Sequence, residues 1–449
     1  MRKKTIFVLV LIMILGTIAI GCSPKAVEKE ETIETLGKYF DFDVLADVPV
    51  MQGEHLNIGK AEEYGEGNYV VDVNGSNVED YRTYLEALEK AGFTLHSDNG
   101  DEGIDNKVYT STYVKDNLVL TVSHIVNLEK TYLSAMFDLP LSDHLIYNDE
   151  FIKDNKKDTK TTLSMMELTQ YGNSFVIQLK NGHFIINDGG MKEDWPHLLD
   201  YMESLVPKGE TPVVEAWIFS HLHKDHISIL EALMDQPEQA ERLIVEGFYT
   251  SIPSSRTFEK LKDAASAIYI QYLKAASSMF LTSTGQNPKI YRMQTGQRYY
   301  FSDINIEVLF TQEQLLLGNY NGDFNDSSTW CMYNIEGQKF LLSGDADDGS
   351  MRLVVKMYNS DYFDLDVYAT FHHNANTRIY FTEFCRIQTV LCTNNKMESG
   401  VKSDYYARVE ENAHLRNSSV EIYNWGDGTK VLTFPYKVGT VKSLPLINR

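Results

Sequence analysis

The spacing of apolar and polar positions divides the chain into two stretches. In the first, from about Asp41 to Leu141, the run NVEDYRTYLEALEKAGF sets Val78, Tyr81, Leu85 and Leu88 at helical spacing. Gly92 then supplies a helix stop. Three strand-like runs follow, KVYTSTYV, NLVLTVSHIV and TYLSAMF, with Lys115, Asp116 and Asn117 as the turn between the first two. The pattern predicts a helix on a short antiparallel sheet, a small α+β domain over residues 41–150. His96 and His124 are isolated within it and read as ordinary surface or strand histidines. Its bland role is a spacer or substrate-side cover, and its sharper one a cell-wall or dimerisation module.

The charged connector KDNKKDTK, Lys153 to Lys160, opens the second stretch. SFVIQLK and HFIINDGG read as two strands joined at Asn181 and Gly182, an Asn-Gly turn. A helix, EDWPHLLDYMESLV, and a buried strand, PVVEAWIF, come next. That strand runs into WIFSHLHKDHI, Trp217 to Ile227, and a helix is expected at ISILEALM. An apolar strand, a polar cluster and then a helix is how α/β proteins build sites at the carboxyl edge of a sheet. Further on, SSRTFEKLKDAASAIYIQYLKAASSMF, Ser254 to Phe280, is expected to be a long packed helix. Its buried stripe would be Phe258, Leu261, Ala265, Ile268, Tyr272 and Ala275. As a lid, the same helix would expose Tyr269, Lys274 or Met279.

Composition narrows the function. At 449 residues with 43% hydrophobic content, the chain is long enough for two folded units. A formal charge of −22 repels phosphate backbones and anionic lipid, which disfavours a nucleic-acid partner. Arg2, Lys3 and Lys4 precede an apolar run from Ile6 to Ile20, shorter than the roughly 20 residues of a membrane span. The segment AIGC, Ala19 to Cys22, resembles a bacterial lipobox, with Ala19 where a bulky aliphatic residue is usual. Residues 1–22 are then a lipoprotein signal peptide, and Cys22 is the lipidated (palmitate-bearing) mature N-terminus on the extracytoplasmic face of the cell membrane. The alternative is an ordinary cleaved signal in which Cys22 is incidental. Residues 23–40 read as a polar tether. Cys331, Cys385 and Cys392 form no disulfide framework and read as buried small hydrophobes, with a Cys385–Cys392 bridge left open.

Three of the chain's 12 histidines fall within six positions, His221, His223 and His226, with Asp225 among them. Imidazole and carboxylate are good ligands for zinc and similar divalent metals. His221 and His223, two apart on a loop leaving a strand, can point the same way. Asp225 and His226 begin the next helix and can turn to a second position. This spacing serves two metals better than one.

The motif HLHKDH resembles the H-x-H-x-D-H of the metallo-β-lactamase-fold hydrolases, and other landmarks flank it in order. FIINDGG looks like the family's strand-end aspartate, Asp188, which supports the metal loop. KFLLSGDADD looks like the strand leading to the metal-bridging aspartate, Asp345, and DVYATFHHNAN supplies the last ligand, His372 or His373. The resemblance covers roughly Thr161 to Arg449. It implies an αββα sandwich over residues 161–449 and usually one or two metal ions, here two Zn2+ per chain, with Mn2+ or Fe2+ as alternatives.

One family landmark is missing. From Ile227 to Gly344 there is no histidine, where the family usually carries another ligand. DFNDSSTWCMYNIEG stands at that place, and it resembles the branch of ComEC-type domains and phosphorylcholine esterases. Asn374 follows the histidine pair where that branch has glycine. One metal would then have His221, His223 and Asp345, completed by water or by Asn325 or Asp326. The other would have Asp225, His226, Asp345 and one of the pair, His373 by preference. Two adjacent cations would activate a water as the nucleophile, and Asp225 and His372 are assigned as catalytic.

These readings lead to a membrane-tethered, extracytoplasmic metal-dependent hydrolase of small-molecule or cell-envelope substrates, tilted toward phosphoester or phosphodiester bonds. A hydrolase of carboxylic esters or lactones is one alternative. A non-catalytic surface binding lipoprotein with a degenerate metal site is another, and a DNA-uptake role is weighed against by the acidic charge.

Overall fold

The protein is described from a computed structural model, over residues 34–40, 43–65, 67–153, 159–251, 258, 261, 263–317, 324–374, 379–393, 420–426 and 428–445. The signal segment with Cys22, most of the tether and the start of the Ser254–Phe280 insertion lie outside the described residues. Among those described, no helix is long and apolar enough to cross a membrane.

The fold is mixed α/β, and the described residues form three sheets. The N-terminal sheet has six strands in the order β1-β2-β6-β5-β4-β3. They are β1 (Asn57–Gly65), β2 (Asn68–Asn74), β3 (Thr94–Asp98), β4 (Val108–Lys115), β5 (Leu118–Ile125) and β6 (Lys130–Phe137). The expected sheet was smaller, because only β4, β5 and β6 carry long apolar runs. The helix Val78–Lys90 is capped by Asn77 and Asp80 and buries Tyr81, Tyr84 and Leu88. Period-2 alternation splits the sheet's side chains between two layers. Val71, Val73, Leu120, Val122 and Leu133 meet that helix. Val70, Val119, Ile125, Tyr132 and Met136 join a cluster with the third sheet instead.

The second sheet runs from β13 (Lys289–Arg292) through β12, β10, β9, β8 and β7 to β21 (Lys430–Thr433) and β22 (Lys442–Ser443), with β11 (Ile244–Val245) paired to β10. Its central strands are β7 (Thr162–Met165), β8 (Ser174–Gln178), β9 (Phe184–Asp188), β10 (Val213–Phe219) and β12 (Gly247–Thr250). The third sheet runs in simple order from β14 (Arg298–Phe301) to β20 (Glu421–Asn424). It includes β15 (Ile304–Phe310), β16 (Trp330–Ile335), β17 (Gln338–Leu342), β18 (Asp364–Ala369) and β19 (Arg386–Cys392). The second and third sheets face each other: Phe175 meets Phe340 with centroids 5.7 Å apart, and Tyr333 Oη donates to Asn187 Oδ1 at 2.7 Å. The alternate positions point outward. Trp217 stacks on Trp195 of the helix Trp195–Leu205 on one outer side. Leu341 and Tyr368 join the helix Asp348–Met357 and the N-terminal sheet on the other. Two facing sheets with helices outside them form an αββα sandwich.

Two local expectations are corrected. The helix at ISILEALM is broken into Lys224–Ile227, a 3-10 turn and Glu231–Asp235. In the insertion, the described helix begins only at a 3-10 turn, Ala264–Ala267, and continues as Ile268–Met279. Phe258 and Leu261 of the expected stripe are buried, but the later buried positions are Ser266, Leu273 and Ala276, one position on from those expected, while Ala265 and Ile268 are exposed. Cys385 and Cys392 are buried, in line with their reading as small hydrophobes, and no bridge joins them.

Candidate metal centre

Four strand ends meet at one edge of the sandwich. β9 ends at Asp188, whose φ of 56° turns the chain into Gly189, and Gly189 N–H donates to His226 O at 2.7 Å. A side chain at Gly189 would collide with Ile229, so glycine lets the two loops close. β10 ends at Phe219 and delivers Ser220, His221 and His223, with Asp225 and His226 on the following short helix. From the facing sheet, β17 leads through Gly344 to Asp345, whose N–H donates to Ser328 Oγ at 3.1 Å. β18 leads to His372 and His373, both left-handed with φ of 45° and 47°. Three site residues without glycine's freedom thus hold an uncommon backbone conformation, as residues fixed for function often do.

Among the described residues, Asp225, His226, Asp345 and His373 each place one donor atom within 4.8 Å of the others. His226 Nε2 lies 3.0 Å from Asp345 Oδ1 and 3.7 Å from Asp225 Oδ2. His373 Nε2 lies 2.7 Å from Asp225 Oδ2 and 3.1 Å from Asp345 Oδ2. Beside this set, His221 Nε2 and His223 Nδ1 are 3.0 Å apart. The two sets adjoin, since the His221 and His226 rings are 4.2 Å apart.

These donors fit divalent cations. Ligands about 2.0–2.1 Å from a tetrahedral zinc stand about 3.3 Å from one another, and the separations above scatter around that value. His226 Nε2 and Asp345 Oδ1 are buried and 3.0 Å apart without hydrogen-bond alignment, which is the relation between two donors to a common cation. The far ring nitrogens are tied elsewhere, as ligating histidines require. His226 Nδ1 pairs with Asp188 Oδ2 at 2.9 Å and His221 Nδ1 with Ser220 Oγ at 3.1 Å. His373 Nδ1 sits 3.4 Å from Thr393 Oγ1.

The charges are arranged accordingly. Burial opposes a charge on His226, yet Asp345, Asp188 and Asp225 together hold its pKa well above the usual imidazole value. His373 is likewise held up to about 9 by Asp345 and Asp225 against burial. Burial pushes His221 well below the ordinary value, and neighbouring His226 and His223 add to this. Asp345 stays well below the carboxylate range because His226 and His373 outweigh its burial. A carboxylate-rich pocket that draws positive charge is suited to a cation.

Of the histidine pair, the structure brings His373 into the cluster. His372 is on the rim, its side chain 25% exposed and its Nε2 3.8 Å from Asp345 Oδ2. Asn325 Nδ2 lies 3.3 Å from His372 Nε2, so Asn325 stands by the rim. Asp326, one of the options for completing the first ligand set alongside water and Asn325, is fully buried, and its Oδ1 accepts from Ser350 N–H and Oγ at 2.8 and 3.0 Å. Its carboxylate serves the start of the helix Asp348–Met357. Asp188 accepts from Ser220 N–H at 2.7 Å and Ser220 Oγ at 2.9 Å and also faces His226.

Sequence reasoning missed three residues of the site. Ser220, immediately before His221, ties Asp188 to the histidines, and its position at the strand end was the available signal. Asp263 Oδ2 lies 2.7 Å from His223 Nε2 across forty residues of chain, with no local signal. Tyr171, exposed, sets its ring 5.9 Å from that of His373.

No family model matches the chain, and no curated protein does. Solved structures similar to it include the metallo-beta-lactamase fold protein YhfI from Bacillus subtilis, at 14% identity over 59% of this chain and 96% of that one, with a TM-score of 0.36. Zn(2+)-bound PqqB from Methylobacterium extorquens is 8% identical over 56% of this chain and 85% of its own, TM-score 0.33. CmlA, a diiron beta-hydroxylase from Streptomyces venezuelae, is 8% identical over 62% and 55%, TM-score 0.36. At these values the functional reading rests on the chain's own geometry.

Proposed function

We propose that this chain is a metal-dependent hydrolase of phosphoester or phosphodiester bonds, held by lipid on Cys22 at the extracytoplasmic face of a cell membrane. The observation that carries the metal site is the convergence of Asp225, His226, Asp345 and His373 within 4.8 Å, beside the paired nitrogens of His221 and His223. Zn2+, or alternatively Mn2+ or Fe2+, would supply Lewis acidity and a water acidic enough to attack at neutral pH.

The chain's residues divide the work. His221 and His223 would hold one ion and Asp225, His226 and His373 the other, with Asp345, a member of the second set, as the carboxylate they would share. Asp188 and Ser220 keep the imidazoles in place. His372, next to the cluster and a quarter exposed, is positioned to hand a proton to a leaving group. Tyr171, exposed beside His373, gives a substrate an aromatic face to lie against. The phosphoester tilt is supported by the missing histidine between His226 and Asp345 and by the resemblance of the DFNDSSTWCMYNIEG segment.

The test is metal content of the purified chain by elemental analysis, with hydrolysis of bis(p-nitrophenyl) phosphate and Asp345→Ala and His223→Ala as controls. Two ions per chain and turnover lost in both variants is the expected result. Turnover of carboxylic esters or lactones alone would move the substrate class, and a metal-free, inert wild type would leave a surface binding lipoprotein. Membrane attachment is tested by palmitate labelling, which Cys22→Ala should abolish.

A further inference from the structure

His223 is held from both sides of one ring. Its Nδ1 faces His221 Nε2 at 3.0 Å, where the first ligand set converges, and its Nε2 faces Asp263 Oδ2 at 2.7 Å. A neutral imidazole carries one N–H and one lone pair. With a carboxylate at Nε2 the proton belongs there, and the lone pair is left on Nδ1, turned toward the ligand set.

We infer that Asp263 is the positioning residue of His223, fixing its tautomer and ring plane so that Nδ1 is presented to a metal ion; this rests on the metal-site reading above. Asp263 is itself well anchored. Its Oδ1 accepts from Ser266 N–H at 3.2 Å and its Oδ2 from Ser266 Oγ at 2.7 Å, so it caps the turn that runs into the helix Ile268–Met279. That helix is fixed through buried Leu273 and Ala276, and Phe280 at its end packs on Trp195 and Trp217. Asp263 and His223 are both mostly shielded, with side-chain exposures of 20% and 23%, where a charged hydrogen bond holds geometry better than in open water.

The contrast within the site gives the inference its weight. His221, His226 and His373 take their far-nitrogen partners, Ser220, Asp188 and Thr393, from strand ends of the sandwich itself. His223 takes its partner from the insertion. The set that contains His223 is also the one without the additional histidine that the family resemblance leads one to expect, so the aim of its two nitrogens matters more. Outer-shell partners of this kind are worth about 10- to 100-fold in metal affinity.

The experiment is zinc competition against a chromophoric chelator, with stoichiometry by elemental analysis, on the full-length chain in detergent. Wild type is compared with Asp263→Ala, Asp263→Asn and Ser266→Ala. Wild type should bind two ions. Asp263→Ala should weaken one of them by about 10- to 100-fold and leave the other unchanged. Asp263→Asn keeps an acceptor oxygen and should recover part of that loss. Ser266→Ala removes the Oγ hydrogen bond to Asp263 Oδ2 but keeps the capping N–H and the contact with His223, and should bind both ions as wild type does. Equal affinity in wild type and Asp263→Ala overturns the inference, as does a loss in Ser266→Ala that matches Asp263→Ala. A wild type that binds no zinc overturns the metal-site reading itself, a result visible before any variant is compared.

Discussion

His226 Nδ1 lies 2.9 Å from Asp188 Oδ2, and both side chains are completely buried. The same carboxylate accepts from Ser220 N–H and Oγ, so one aspartate at the end of β9 organises the loop after β10. A carboxylate buried this deeply is tolerated only because these donors surround it.

Replacing Asp188 with alanine should therefore unbalance three groups at once. Ser220 N–H, Ser220 Oγ and His226 Nδ1 would each lose an acceptor inside the protein, where an unmet donor costs about 1–3 kcal/mol. The expected loss is on the order of 3–5 kcal/mol, measured as the shift in urea denaturation of chelator-treated protein. Asp188→Asn, which keeps the shape and one acceptor oxygen, should lose less. Stability equal to wild type in Asp188→Ala would show that the loop is held by something else.

Metal removal should be visible in stability as well as in activity. Asp225 and Asp345 both lie within reach of His226 and His373, a density of charge that a bound cation would balance. An ion that binds only the folded chain stabilises it by about 2.7 kcal/mol at a hundredfold excess over its Kd. Chelation should lower Tm and zinc should restore it, with Asp345→Ala insensitive to both. A wild-type Tm indifferent to chelator contradicts the metal site.

How much of this was legible in the chain depends on distance along it. HLHKDH was legible because a strand-loop-helix unit keeps its donors together in sequence. Asp345 and His373 were legible because each follows an apolar strand that must end at the same sheet edge. Asp263 was not, since its contact with His223 is set by where the insertion docks. Asp326 illustrates the opposite case: an acidic residue in the right region whose carboxylate is occupied by Ser350. In the N-terminal sheet the unread strands are β1 and β3 at the two edges and β2 beside β1. β1 carries Lys60, Glu62 and Glu63 and β3 reads TLHSD, the charged and polar composition by which edges avoid further pairing. The helix Ile268–Met279 was expected one position out of phase, because Ile268 looks like a core residue and is 48% exposed.

The N-terminal sheet should be acid-labile through His124. Burial lowers its pKa from 6.5 to about 4, against the opposing pull of Asp80. The ring is 1% exposed, with Nδ1 against Thr131 Oγ1 at 3.1 Å. A histidine held neutral in the fold binds its proton more readily when unfolded. Its contribution is thus complete above about pH 6.5 and is lost as pH falls toward 4. Between pH 7 and pH 5 the loss should be about 2 kcal/mol. His124→Asn should flatten that part of the pH dependence of urea unfolding, and an unchanged slope would show that another group carries it.

Separating the two adjacent histidines is the sharpest test of how the site works. His373 is 5% exposed and its Nε2 lies within 3.1 Å of both Asp225 and Asp345, whereas His372 Nε2 stands 3.8 Å from Asp345 and its side chain is open to solvent. His373→Ala removes a donor from the four-membered set and should lower bound metal to about one ion, with turnover lost. His372→Ala leaves that set intact, so metal content should stay at the wild-type value. Its turnover should fall by about 10²–10⁴-fold, the contribution typical of a positioned proton donor. The fall should be smaller for a substrate whose leaving group is acidic enough to depart without a proton. If His372→Ala instead loses metal, or slows all leaving groups equally, its place on the rim is that of a ligand or a wall and not of an acid.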